Sequence, residues 1–166
     1  MFRTPSRVCG PEDFYKQIFN PDEFTNKLNC GCGAQYLEGF VNLDGNTEVR
    51  ADVYHDLESM PLPFEDGSFD LIYAAHILEH IHNLPMLKKE FDRITRFPAG
   101  IVVVVPYYLS RDAWGDDTHI RAFSELSFNS AFWPGFRYLN HQVIDMIDGD
   151  GLKNQWLIGC LGKNKV

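Results

Sequence analysis

The chain has no apolar run approaching the ~18 residues of a membrane span. Its clearest unbroken apolar stretch is only Ile101–Val105, and no membrane association is expected. It also lacks a block of basic residues. Lys88 and Lys89 are the densest cationic pair, and the formal net charge is −8. A nucleic-acid or anionic-lipid footprint would need clustered Lys and Arg, so no nucleic-acid partner is expected. The first ten residues, Met1 to Gly10, lack the apolar core of a secretion signal. Cysteine is scarce, at four residues: Cys9, Cys30, Cys32 and Cys160. Cys30 and Cys32 share a glycine turn, too close together for an easy disulfide, and a reducing, cytoplasmic setting follows as the expectation. Internal repeats and low-complexity tracts are absent as well.

What is present suits a core and a pocket. The 166 residues fit a single domain, 1–166, and are 45% hydrophobic, with 13 Phe and 7 Tyr. Periodicity predicts short helices over Pro11–Asn20 and Glu23–Asn26, with Phe14 and Ile18 at i, i+4 in the first. Short apolar strands are expected at Lys27–Cys30, Phe40–Leu43, Val49–Tyr54 and Phe69–Ala74. Ile101–Val105 is continuously apolar and β-branched, as in a strand covered on both faces. Helices are expected at Ala75–His82 and at Leu84–Arg96. The second starts after Asn83 as N-cap, carries Leu87, Phe91 and Ile94 on one stripe, and is closed by Pro98 and Gly100. Phe123–Phe132 reads as helical. Phe136–Ile147 and Asn154–Leu161 read as a hairpin turning at Asp148-Gly149-Asp150-Gly151. Strands alternating with helices indicate an α/β fold with a mostly parallel central sheet, whose ligands bind beyond the carboxyl ends of the strands.

At those ends lie Asn29-Cys30-Gly31-Cys32-Gly33-Ala34 and, at the end of the next strand, Asp44. A Gly-x-Gly turn lets backbone approach a ligand closely. A carboxylate at Asp44 can accept both hydroxyls of a ribose, and an Asp-Gly turn with nothing bound accounts for it equally well. A nicotinamide-binding fingerprint would need a third glycine at position 36, where Tyr36 stands, and an acid about 20 residues on. Asp44 follows Gly33 by eleven residues. The crossover 34–39 has little room for the helix whose N-terminus would hold a pyrophosphate. A nicotinamide-dependent oxidoreductase is therefore disfavoured.

Five segments in order carry a more specific signal: Leu28–Gly33, Glu38–Asp44, Ala51–Leu57, Leu62–Asp70 and His76–Ile81, with an echo at Thr118–Ser124. Together they resemble the class I S-adenosylmethionine (SAM)-dependent methyltransferases, closest to a compact type-11-like group, over about Leu28 to Pro106. The resemblance implies a Rossmann-like α/β fold whose sheet ends in an antiparallel hairpin. It implies SAM as cofactor. Asn29, Cys30, Gly31, Cys32 and Gly33 would wrap the methionine part, its carboxylate held by loop N–H groups. Asp44 would hold the ribose and Asp56 with Leu57 would meet the adenine, while Ala74, Ala75 and His76 would close the pocket. The chain departs from the pattern at Gln35, where a third glycine is common, and at Pro98-Ala99-Gly100, where Pro-Gly-Gly is usual.

Methyl transfer is an in-line displacement in which the protein supplies position and a dry site. A base is needed only for an acceptor that must lose a proton, and His is suited to that. His76 and His119 are the candidate catalytic residues; shaping the pocket or capping helices is the other role open to them. The acceptor expected is a small or sugar-like molecule. A non-catalytic SAM- or nucleoside-binding module is the alternative, and oligomeric state is left open. His76-Ile77-Leu78-Glu79-His80 spells an inverted zinc-protease motif, but no third ligand is evident on another helix. Asp116, Asp117 and His119 form a possible Mg²⁺ group, for which a solvated loop is the simpler reading. Cys30 and Cys32 read as small buried residues. No metal site is expected.

Overall fold

The computed structural model describes residues 21–147 and 153–165. The expected helix at Pro11–Asn20, Cys9 and the hairpin turn at 148–151 lie outside the described residues. Seven strands form one sheet: β1 (Lys27–Cys30), β2 (Val41–Asp44), β3 (Val53–Tyr54), β4 (Phe69–Ala75), β5 (Thr95–Pro106), β6 (Phe136–Ile147) and β7 (Lys153–Lys163). Their order is β3-β2-β1-β4-β5-β7-β6. β1 to β5 run parallel, with Leu28 beside Val41 and Ile72, and Ile72 beside Ile101. β7 is antiparallel to β5 and to β6, so the sheet ends in the expected hairpin. This is the Rossmann-like α/β layout anticipated from the sequence. Among the described residues no helix is long and apolar enough to cross a membrane.

The apolar run Ile101–Val105 forms the sheet's centre because each of its faces has somewhere to go. Ile101, Val103 and Val105 join Leu28, Ile72 and Ala74 in the larger core, and Val102 and Val104 pack with Leu71, Tyr73, Ile158 and Cys160 on the other side. The larger core is roofed by helix α1 (Leu84–Ile94), whose Leu84, Leu87, Phe91 and Ile94 recur at helical spacing and are buried. Asn83 caps it, its side chain accepting from Met86 N–H, and Pro85 sits in the first turn, where its missing N–H costs nothing. Lys88 of the supposed basic pair is folded in, with Nζ 4.3 Å from the Trp133 ring centre.

Five expectations about elements are corrected, the first at Glu23–Asn26, where a single 3₁₀ turn, Pro21–Glu23, leads straight toward β1 in place of a helix. α1 stops at Ile94 rather than Arg96, because the Thr95 hydroxyl donates back to Phe91 O at 2.7 Å and the chain enters β5 at once. The helix expected at Phe123–Phe132 is two single 3₁₀ turns, Glu125–Phe128 and Ser130–Phe132, separated by Asn129, which is extended in ψ. Ala75–His82 is no helix at all. β4 continues through Ala75, and His76 then takes a left-handed conformation (φ 53°), which a helix cannot contain. Its N–H still donates to Val104 O at 2.8 Å, and the segment closes in short turns, His80 N–H to Ile77 O and Ile81 N–H to Leu78 O. β3 is also shorter than expected, two residues where Val49–Tyr54 was anticipated. A short helix α2 (Asp112–Gly115) follows β5.

Candidate functional site

The carboxyl ends of β1, β2, β3 and β4 bring the anticipated nucleotide-binding residues together. Gly31 and Cys32 donate their N–H groups to Leu43 O at 2.8 and 3.0 Å, folding the turn over the end of β2. Gly33 donates to Asp44 Oδ2 at 2.6 Å, while Asn46 donates to Asp44 Oδ1 at 2.8 Å. His55 N–H donates to Asp44 O at 3.0 Å, and a Cβ added to Gly45 would lie 3.5 Å from Asp56 Cα. Asp44, Asp56 and the glycine turn therefore share one rim. Asp56 is exposed, its Oδ1 taking Glu58 N–H at 2.9 Å.

Not every anticipated residue can meet a ligand through its side chain. Asn29 is buried, its amide donating to Gln35 O and Asn42 Oδ1 at 2.7 and 2.9 Å, so it braces the 34–39 crossover. Cys30 is fully buried, and that burial, followed by the charge of Asp44, pushes its thiol far up. Cys32 is buried and donates to Arg50 O; burial, then Asp44, raises its thiol too. Leu57 packs in the larger core. The N–H groups of Gly31, Cys32 and Gly33 are all spent inside the protein, so a ligand carboxylate must find its donors elsewhere.

Sequence reading missed the brace beneath this rim. Asp52 accepts from Asn42 N–H and Nδ2 at 2.8 and 2.9 Å and from the Tyr36 hydroxyl at 2.7 Å. These bonds, Asn42's first and Tyr36's next, hold its carboxyl below the usual range. Tyr36 is thus tied to a buttress, with the Arg50 guanidinium stacked 3.5 Å from its ring centre.

The rim keeps open space and spare acceptors. A Cβ added at Gly33 (φ 50°) would meet nothing within 4 Å, so the turn opens on free space. Each Asp44 oxygen takes one N–H, and a carboxylate oxygen has two lone pairs. One acceptor site per oxygen remains for the two hydroxyls of a ribose.

The ends of β4 and β5 hold a second group. A cavity of about 650 Å³ is lined by His76, Glu79, His80, Arg111, Asp117, His119 and Trp156, among others. The His76 ring lies edge-on to Trp156 at 4.5 Å between centres, and its Nδ1 is 3.5 Å from Glu79 Oε1. His119 comes in from the loop after β5, its Nε2 4.0 Å from Glu79 Oε1 and 3.7 Å from Asp116 Oδ2. The loop is pinned by Ile120 N–H to Glu79 O at 3.0 Å and by Arg121 to Ile81 O at 2.6 Å. Thr118 donates to Asp116 Oδ1 through its hydroxyl and its N–H, and these bonds lower the Asp116 carboxyl. His76 and His119, 43 positions apart, thus face one cavity. Trp156, from β7, was not anticipated as a wall, because only the hairpin's return beside β5 brings it there.

The two rims touch. A Cβ at Gly31 would lie 2.5 Å from Ile77 Cγ1, next to His76.

Comparison with known proteins agrees with this arrangement. Residues 28–104 match the family model described as a methyltransferase domain. That segment is similar to the methyltransferase-domain family, and the sheet has the Rossmann-like fold of SAM-dependent methyltransferases. It is 33% identical over 103 residues to an uncharacterised protein of Methanocaldococcus jannaschii, the match covering 50% of this chain and 44% of that one. It is 32% identical over 92 residues to a sterol 4-C-methyltransferase of Caenorhabditis elegans, covering 55% and 26%. The chain thus spans less than half the length of these curated relatives. A SAM-dependent methyltransferase of Aquifex aeolicus superposes with a TM-score of 0.63 at 15% identity, covering 92% of this chain and 90% of that one. One from Mesorhizobium loti gives 0.62 at 13% identity, covering 83% and 90%. At such identities these two likenesses speak for the fold. The matched segment 28–104 contains the glycine turn, Asp44, Asp56 and His76, and stops before His119.

Proposed function

We propose that this protein transfers a methyl group from SAM to a small-molecule acceptor seated in the cavity beside His76. The observation that carries the reading is the adjacency of the two rims. An open glycine turn with an acceptor-rich Asp44 lies against the strand end that walls a cavity of about 650 Å³, within the range of small-ligand sites.

SAM supplies the electrophilic methyl. Asp44 would accept the ribose hydroxyls, Gly33 would leave room for the methionine end, and Asp56 would accept from the adenine amino group. Ala75 and His76, where β4 ends, separate this rim from the acceptor cavity. Trp156 and the buried base of the cavity exclude water on that side, and Arg111 and Asp117 offer charged groups at its mouth. His76 Nε2 and His119 Nδ1 are buried without a partner. Either can take a proton from an acceptor hydroxyl or amine as the new bond forms. The acidic balance of the chain supports a small acceptor over a polyanion.

Thermal unfolding with SAM, S-adenosylhomocysteine or NAD tests the cofactor. A ligand at a hundred times its Kd adds about 2.7 kcal/mol, a rise of roughly 5–10 °C for a domain of this size. SAM-type ligands should produce that rise, NAD should not, and Asp44→Ala should abolish it. No rise with either SAM-type ligand on a cleanly folded sample overturns the reading. Binding without methyl transfer to any acceptor pool would identify a non-catalytic module instead.

A further inference from the structure

We propose that Glu79, His80 and His119 form a binding site for a divalent transition-metal ion of the zinc type, open toward the cavity. Donor atoms of these three residues lie within 4.8 Å of one another. The expectation of no metal rested on a helical His-x-x-Glu-His with no third ligand. The segment is a turn, and the third ligand comes from a loop 39 positions beyond His80.

The independent sign of a missing cation is Glu79. Its side chain is 1% exposed, and among the described residues neither carboxylate oxygen has a hydrogen-bond partner. A buried carboxylate without donors is costly, and such groups are ordinarily paired or bound to a metal. Every nearby candidate donor falls short: His76 Nδ1 stands at 3.5 Å and His119 Nε2 at 4.0 Å. Two imidazole nitrogens in the same wall, His76 Nε2 and His119 Nδ1, are buried and equally unpartnered among the described residues. A bare carboxylate flanked by two imidazoles marks an absent ligand more economically than a packing fault. The carboxylate fixes the sign of that ligand as positive, and two imidazoles select a borderline ion over Mg²⁺ or Ca²⁺.

The tautomer of His80 also suits this role. Its Nδ1 lies 3.2 Å from Thr118 O and 3.1 Å from Thr118 Oγ1. The carbonyl can only accept. The Thr118 hydroxyl has already given its one proton to Asp116 Oδ1 at 2.6 Å, so it too must accept from His80. Nδ1 therefore carries the hydrogen and Nε2 the lone pair, the arrangement that a hydrogen-bonded carbonyl imposes on a metal-binding histidine. Asp116 Oδ2, 3.7 Å from His119 Nε2, is a further acid that can turn toward the ion or orient the ring. Metal–ligand bonds of about 2.0–2.1 Å put tetrahedral donors roughly 3.4 Å apart, so the three side chains close by about an ångström on the ion. Three protein ligands leave a position open to the cavity, where an acceptor oxygen or nitrogen could enter.

The test uses the whole chain without a histidine tag, stripped with a chelator and then titrated with Zn²⁺ or Co²⁺. One equivalent per chain is expected, by elemental analysis after dialysis and by calorimetry. The Co²⁺ form should show visible ligand-field bands without the near-ultraviolet thiolate band that cysteine ligation would give. His119→Gln and Glu79→Gln should each weaken binding on the order of a hundredfold, and His141→Gln, on β6, should leave it unchanged. Absence of stoichiometric metal in the wild type, a thiolate spectrum, or full binding in both variants overturns the proposal. If a variant does not fold, the wild-type stoichiometry and cobalt spectrum decide alone. The SAM-induced rise in melting temperature, read in the presence of chelator, is a separate measurement, so the metal site and the cofactor reading fail independently.

Discussion

The glycine-turn rim and the histidine rim lie side by side at one end of the sheet, and their polar groups are handled in opposite ways. Around Asp44 the hydrogen bonding is thorough: three consecutive N–H groups are spent, Asn29 and Asn42 are cross-braced, and Asp52 carries three donors. Around Glu79 the buried carboxylate and two imidazole nitrogens have no hydrogen-bond partner among the described residues. The first rim is complete as protein and offers spare lone pairs. The second is incomplete as protein. Preorganised turns recognise a ligand by shape, whereas an unpaired buried charge waits for a specific counter-charge.

The largest effect that would break this contrast is expected at Gly31. Gly31→Ala combines a left-handed backbone (φ 70°) with a Cβ driven into Ile77, and should cost about 2–4 kcal/mol in urea unfolding. Gly33→Ala, in open space, should cost only about 1 kcal/mol while still weakening SAM, which sharpens the distinction between a packed glycine and a ligand-facing one. Next comes a pair of opposite sign. Asp44→Ala removes the acceptor of two N–H groups and should destabilise by about 1–2 kcal/mol. Glu79→Gln removes a buried carboxylate that has no hydrogen-bond donor among the described residues and should stabilise the metal-free protein by about as much; with Zn²⁺ bound the order should reverse. Equal losses in both variants would erase the contrast.

The smallest effects are pH-dependent. Asp52 has its carboxyl lowered by its donors, so its contribution is present above the unfolded value and lost as pH falls through the lower folded one. The acid limb of a stability–pH curve should therefore be shallower in Asp52→Asn. Lys88, pushed down to about 8 by burial, works the other way. It is a liability below pH 8, relieved as pH rises toward its unfolded value. Lys88→Met should gain on the order of 1 kcal/mol at pH 7, after allowing for partial exposure, and the gain should vanish near pH 10.

Strands with a single strong determinant were legible in the sequence. β1, β6 and the core of β5 are where patterning placed them, and α1 begins at its cap, because each is specified by residues within it. Ala75–His82 was misread because its apolar spacing imitates a helix, while His76 is held left-handed by Val104 and Trp156, neither of them local. The glycine turn and Asp44 stood out because turn residues signal themselves, whereas Asp56 came only from the resemblance; the structure brings the three to one rim. The meeting of Glu79 with His119, and the arrival of Trp156, follow from the order of β4, β5 and β7 in the sheet, which no local pattern encodes.

The contact between Gly31 and Ile77 leaves no slack between the rims. Ile77 is flanked by His76 and, two positions on, Glu79. Should a nucleoside that reshapes the turn also shift this segment, the coupling is reciprocal: whatever factor the nucleoside imposes on the ion's affinity, the ion imposes on the nucleoside's. Titrating each ligand with the other saturating would then return a single number from both directions.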